Sequence, residues 1–204
     1  MIYEIRTYNL KPRSIPEFLR RTGEMIDGRV VYSQLGGFWY SEIGPLNQVV
    51  HIWPYEDLNH RASIRAQVVS DRIWPPDNNE FLIDMNTEIF NPAPFMTPLG
   101  KRSIGPIYEM RTYFYPSGTI PQVLEAWDKS IEERQKLSPL AGCWYSEIGN
   151  LNKLVHLWAY GSLQERTNIR LEAVEKGIWP PKSPVAPVSQ ESKILLPADF
   201  SPMT

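Results

Sequence analysis

Cysteine is nearly absent: Cys143 stands alone among 204 residues, which excludes an internal disulfide and any Cys-rich metal centre and leaves it as a small core residue. No stretch reaches the roughly 18 consecutive apolar residues that a spanning helix needs, and the first residues carry no basic segment followed by an apolar one. No membrane insertion is expected, and the expected location is the cytoplasm. Basic charge is not in excess either. Twenty-one Lys and Arg face 23 Asp and Glu, with no Lys/Arg run of the kind that follows a phosphate backbone, so nucleic acid is not an expected partner. There is no Gly-x-Ser-x-Gly, no Gly-rich phosphate loop and no His-Glu-x-x-His, which removes the motif-bearing hydrolase, nucleotide and zinc-protease readings.

What the chain does have is a repeat. Ile2-Tyr3-Glu4-Ile5-Arg6-Thr7-Tyr8 returns 105 residues later as Ile107-Tyr108-Glu109-Met110-Arg111-Thr112-Tyr113. At the same offset Gly37-Phe38-Trp39-Tyr40-Ser41-Glu42-Ile43-Gly44 becomes Gly142-Cys143-Trp144-Tyr145-Ser146-Glu147-Ile148-Gly149, and Ile73-Trp74-Pro75-Pro76 becomes Ile178-Trp179-Pro180-Pro181. Three blocks in one order at one spacing are a duplication. Two copies are too few for a solenoid, so each must be a compact unit. Residues 1–92 form the first and 105–204 the second, joined by the Pro- and Gly-rich linker 93–104, whose prolines can sustain neither a helix nor a central strand.

Within one unit, residues 2–8 alternate as a strand, with Glu4, Arg6 and Tyr8 on one face. Ser14 as N-cap and Pro16 open a helix over about 15–33. The aromatic runs 37–44 and 48–55 flank Pro45-Leu46-Asn47 as a hairpin. A second helix covers about 58–73, and residues 80–90 make a last strand. The order βαββαβ is that of the ferredoxin-like unit. The fold class is therefore α+β: two tandem ferredoxin-like units packed sheet to sheet, an intramolecular dimeric α/β barrel. Unpaired outer edges leave room for a further homo-oligomer.

If Pro45-Leu46 is the tip, His51 opposes Tyr40, Val49 opposes Glu42 and Trp53 opposes Phe38. The other side of the hairpin, with Trp39, Ser41, Ile43, Val50 and Ile52, is more apolar and is expected to meet the helices. By elimination the polar side, with Glu4, Arg6 and Tyr8, lines the space between the sheets. Buried charge needs a reason. One is an ionic seam fixing the register of the halves; the other is a ligand pocket in which a histidine moves a proton.

Tyr3-Glu4-Ile5-Arg6-Thr7-Tyr8, Gly37 to Asn47 and Val50-His51-Ile52-Trp53-Pro54-Tyr55, twice over, resemble the NIPSNAP family. That resemblance implies the dimeric α+β barrel. By analogy with the wider superfamily it implies a cofactor-free monooxygenase-like, isomerase-like or lyase-like enzyme, although fold does not fix chemistry. The expected catalytic residues are His51, His156, Arg6 and Arg111. The expected ligand-binding residues are Tyr40, Tyr145, Trp53, Trp158, Glu42, Glu147, Glu4 and Glu109, around a small aromatic or carbonyl-containing molecule between the sheets. No cofactor or metal is expected; a haem or metal at His51 or His156 is the lesser alternative. The alternative function is a non-catalytic scaffold whose polar seam is filled and whose partners bind outside. Phe38 becomes Cys143 in the second copy, so the smaller residue points to the second half as the place for a cavity.

Overall fold

A computed structural model describes residues 1–204. The first unit consists of β1 (Ile2–Leu10), α1 (Ile15–Val30), β2 (Gly37–Ile43), β3 (Gln48–Tyr55), α2 (Leu58–Ser70) and β4 (Leu82–Pro92). The second repeats it with β5 (Ile107–Phe114), α3 (Ile120–Gln135), β6 (Leu140–Ile148), β7 (Lys153–Tyr160), α4 (Leu163–Glu175) and β8 (Ser189–Pro197). Helix starts follow local chemistry: the side chain of Asp57 caps α2 by accepting the His60 N–H at 2.8 Å, and Ser162 caps α4 by accepting that of Glu165 at 3.0 Å. Ser14 makes no such bond; α1 starts instead on the preset φ of Pro16.

The strands close into one antiparallel barrel in the order β1-β3-β2-β8-β5-β7-β6-β4. The two sheets are therefore stitched as well as stacked, because β4 pairs with β6 and β8 with β2 across the repeat boundary. Closure removes edge strands, and with them the edge route to further association that the sequence left open. The linker is a packed strap. Ala93 and Leu99 are buried, and Arg102 bridges the backbone of Met203 near the other terminus.

The closed interior is apolar, which reverses the expected assignment of faces. Tyr3, Ile5, Trp39, Val50 and Ile52 meet Tyr108, Met110, Trp144, Val155 and Leu157 in one core inside the barrel. Across the pseudo-dyad the Tyr3 ring lies 5.8 Å from that of Trp144, and Trp39 lies 5.4 Å from Tyr108. The polar face of each sheet, with Glu4, Arg6 and His51 or their copies, lies beneath the helices instead. The physical reason is solvent access: a barrel sealed on all sides takes the side with fewest polar groups, whereas the helix layer brings its own arginines to pair the charge. The hairpin register also differs from expectation by two residues, with His51 opposite Phe38 and Tyr40 opposite Val49. A shift of two keeps every side chain on its face but carries Glu42 out of the ladder to the exposed end of the hairpin.

Candidate functional site between the first sheet and its helices

A cavity of about 200 Å³ lies between the β1–β3 face and helices α1 and α2. Its walls include Phe18 and Thr22 of α1, Val68 of α2 and Trp74 and Pro76 beyond it, over a floor of Phe38 and His51. Arg6, Arg29 and Arg65 line it, and no carboxylate does.

His51 is 2% exposed. Phe38 stacks on its ring at 4.8 Å with the planes 14° apart, and Tyr8 meets it edge-on at 4.9 Å. The Trp53 indole N–H donates to Nδ1 at 2.7 Å, while Nε2 is buried without a partner. An imidazole nitrogen that accepts is unprotonated, so the neutral ring carries its proton on Nε2. Burial, then the charges of Arg6, Arg29 and Arg65, holds the His51 pKa well below the usual 6.5. In this arrangement the neutral ring offers a hydrogen-bond donor at Nε2. A second orphan beside the cavity is an acceptor: Asn78 gives its amide hydrogens to Thr22 Oγ1 at 3.0 Å and the Phe18 carbonyl at 3.3 Å, leaving Oδ1 free.

Behind this floor sits Glu4, fully buried, accepting from Arg6 at 2.8 Å and Arg61 at 2.5 Å. Arg6 also donates through Nε to the Tyr8 oxygen at 2.5 Å. Arg29 lies 4.2 Å over the Trp53 ring and donates to Ser33 and Tyr55. Arg65, half-buried, has neither an ion pair nor a side-chain hydrogen bond.

The second half repeats the framework but fills the space. Trp158 donates to Nδ1 of His156 at 2.8 Å, and Nε2 is again buried without a partner. Burial, then Arg111, depresses His156 in the same way, with Glu109 opposing. Glu109 takes Arg111, Arg166 and Ser192; although burial opposes it, these contacts hold its pKa at about 2. Where the first half has Thr22, the second has Trp127, buried and 4.7 Å from the His156 ring. Cys143 replaces Phe38 to make room for it, so the smaller residue does not mark the cavity as expected. Arg170, the counterpart of Arg65, reaches Glu109 at 3.8 Å.

Of the residues singled out from sequence, His51 and Arg6 line the cavity, and Trp53 and Glu4 stand behind them as supports. Tyr40 does not join them; it lies in an outer groove with Ile15, Leu19 and Phe200. Tyr145 lies in the corresponding groove with Ile120 and Leu124. Glu42 and Glu147 are exposed, and Glu147 accepts from Asn91 at 2.7 Å. His156, Arg111, Trp158 and Glu109 form the filled copy. Sequence reasoning passed over Thr22, Arg29 and Arg65. The one signal the sequence holds is the exchange of Thr22 for Trp127 at the repeat offset. No group of three or more His, Cys, Asp or Glu side chains assembles that could hold a metal ion. The cavity is also smaller than the roughly 300–1,000 Å³ that drug-sized ligands occupy.

The NIPSNAP family model matches residues 3–97 and again 108–202. The chain belongs to the NIPSNAP family. Each matched segment coincides with one βαββαβ unit, so the family repeat is the structural repeat. Protein NipSnap homolog 3B of Homo sapiens is 31% identical over 98% of this chain and 85% of its own length. The Protein NipSnap homolog of Dictyostelium discoideum is 30% identical over 96% of this chain and 87% of its own. Among solved structures, a candidate monooxygenase from Lactobacillus acidophilus NCFM superposes over 96% of this chain and 92% of its own with a TM-score of 0.65 at 10% identity. At that identity the likeness is one of fold: the same barrel from two fused units. No helix of this NIPSNAP chain is long and apolar enough to cross a membrane.

Proposed function

We propose that this NIPSNAP protein binds a small carbonyl-containing molecule in the first-half cavity, with the His51 Nε2–H directed at the carbonyl oxygen. The observation that carries this is the buried donor without a partner beside an open space, since a buried polar group left unpaired costs about 1–3 kcal/mol and a ligand oxygen would recover that cost. Arg6 would stabilise negative charge building on the same oxygen, the electrostatic contribution that many enzymes use. A neutral imidazole can polarise a carbonyl in this way without exchanging a proton. Nothing lining the cavity accepts a proton readily: Nδ1 is taken by Trp53, and the Tyr8 phenol has its pKa raised by burial. Binding and polarisation of the ligand are therefore the chemistry these residues support. The scaffold reading is favoured by one observation, the Trp127-filled second half, and on it that half is the structural copy.

The test is a screen of small aldehydes, ketones and carboxylic acids by thermal shift and calorimetry, run on the wild type and on T22W/F38C, which gives the first half the packing of the second. The wild type is expected to gain stability with a subset of ligands, and the folded double variant is not. Equal binding by both would remove the cavity from the account, and no binding by the wild type would leave the scaffold.

A further inference from the structure

We infer that the ligand of this cavity is an anion: a small carboxylate with an apolar body, its carboxylate held between Arg65 and the His51 Nε2–H. This deepens the reading above and rests on it. The argument turns on what differs between the two halves. Both contain four arginines around one buried carboxylate: Arg6, Arg29, Arg61 and Arg65 around Glu4, and Arg111, Arg134, Arg166 and Arg170 around Glu109. Arg29 and Arg134 lie over their tryptophans at 4.2 Å and bond a serine and a tyrosine in the same way. That pair is structural. Arg6 and Arg111 each hold their glutamate at 2.8 Å and donate to a tyrosine in the same way, so they do not distinguish the halves.

Only the fourth arginine changes its role. In the filled half Arg170 turns to Glu109. In the open half Arg65 lines the cavity with no carboxylate in ion-pair reach; Glu4 Oε2 and Glu109 Oε2 both lack a hydrogen-bond partner, so the halves differ only in the 3.8 Å approach of Arg170. The open half thus combines an uncommitted guanidinium, an uncommitted N–H and an absence of carboxylates on the walls. A half-buried guanidinium recovers more from a carboxylate than from a neutral oxygen, because a charge-assisted bond is about twice as strong. Of the other lining residues Phe18, Phe38, Val68 and Trp74 are apolar and would meet an apolar ligand body, while Thr22 and Asn78 supply a polar stretch of wall. At about 200 Å³ that body is a short chain or a single ring.

Matched acid and amide pairs decide the matter: acetate and acetamide, hexanoate and hexanamide, benzoate and benzamide, phenylacetate and phenylacetamide. Each is titrated by calorimetry at low salt into wild type, R65M and T22W/F38C, with inorganic phosphate as a control for charge without an apolar body. At least one acid is expected to bind about 10-fold or more tighter than its amide. R65M should abolish that preference, T22W/F38C should bind neither member, and phosphate should be weaker than the preferred acid. Amides that bind as well as their acids, or an acid preference that survives R65M, overturn the anion assignment and leave the carbonyl-binding reading standing. Phosphate binding as tightly as the best acid overturns the apolar body. If no member of any pair binds the wild type, both readings fall together.

Discussion

The Trp53 indole N–H donates to Nδ1 of His51 at 2.7 Å, and Trp158 treats His156 identically at 2.8 Å. The contact fixes which nitrogen of each ring carries the proton. Nitrogen-15 spectra of the histidine side chains should therefore show the Nε2–H tautomer at both sites at neutral pH. In W53F the His51 signal alone should move toward a mixed tautomer. A mixture at both sites in the wild type would remove the donor role argued for His51.

The same burial makes stability depend on pH in a definite direction. Unfolded histidine takes up a proton near pH 6.5, whereas folded His51 and His156 stay neutral to well below that. Below pH 6.5 the unfolded chain binds more protons, so stability is retained above that value and lost as the pH falls, by up to about 1.4 kcal/mol per pH unit for each histidine. Urea midpoints at pH 7.5 and 5.5 should differ accordingly in the wild type and much less in H51Q/H156Q. A wild type with level stability across that range would contradict the assignment.

Trp127 is the residue that closes the second site. W127A should lose about 3–5 kcal/mol in denaturant unfolding, the usual cost of emptying a buried aromatic position. W127T/C143F, which imports the first-half residues, should recover part of that loss and open a cavity beside His156 that a crystal structure would reveal. If W127A is nearly neutral, the space in the first half needs another explanation.

Glu4 is fully buried between Arg6 and Arg61. Removing its charge leaves two guanidinium groups uncompensated, and E4Q should cost about 3–5 kcal/mol. The exposed pair of Glu125 and Lys129 has the same formal charges, yet E125Q should leave the unfolding midpoint unmoved because water already solvates both ends. Equal effects of the two substitutions would mean that Glu4 is not the anchor described.

The seams between units are charged unequally. At the β4–β6 seam Lys153 pairs with Glu88 at 2.5 Å, while Gln48 and Lys193, at the equivalent positions, bond to each other at the other seam. A second unit closing on its own copy would set lysine against lysine at both seams, so this arrangement favours the first unit as partner. E88K should destabilise the full chain and E88K/K153E should restore most of the loss. The expected coupling is about 1–3 kcal/mol, measured by a double-mutant cycle, and the absence of coupling would reduce the seam to an ordinary surface contact.

Local alternation in Tyr3 to Tyr8 and Gln48 to Tyr55 already placed Glu4, Arg6 and His51 on one face, because strand side chains alternate whatever the sheet meets. The repeat likewise required two equivalent units and the βαββαβ order. Alternation does not say which face is inside. Trp39, Val50 and Ile52 could have met helices or a second sheet, and closure of the barrel through the β2–β8 and β4–β6 pairs decided for the sheet. Arg29 and Arg65 could not be placed until α1 and α2 had a position on the sheet.

From sequence alone came the duplication, the fold of each unit, the family and the grouping of charged residues with a histidine. Only the tertiary structure decided that this group lies under the helices, and that of two equal frameworks one is open. The cavity exists because Thr22 is small where Trp127 is large. That difference acquires meaning only when helix and sheet bring the side chain over an imidazole distant in the chain, since volume is a property of packed neighbours rather than of any residue read by itself.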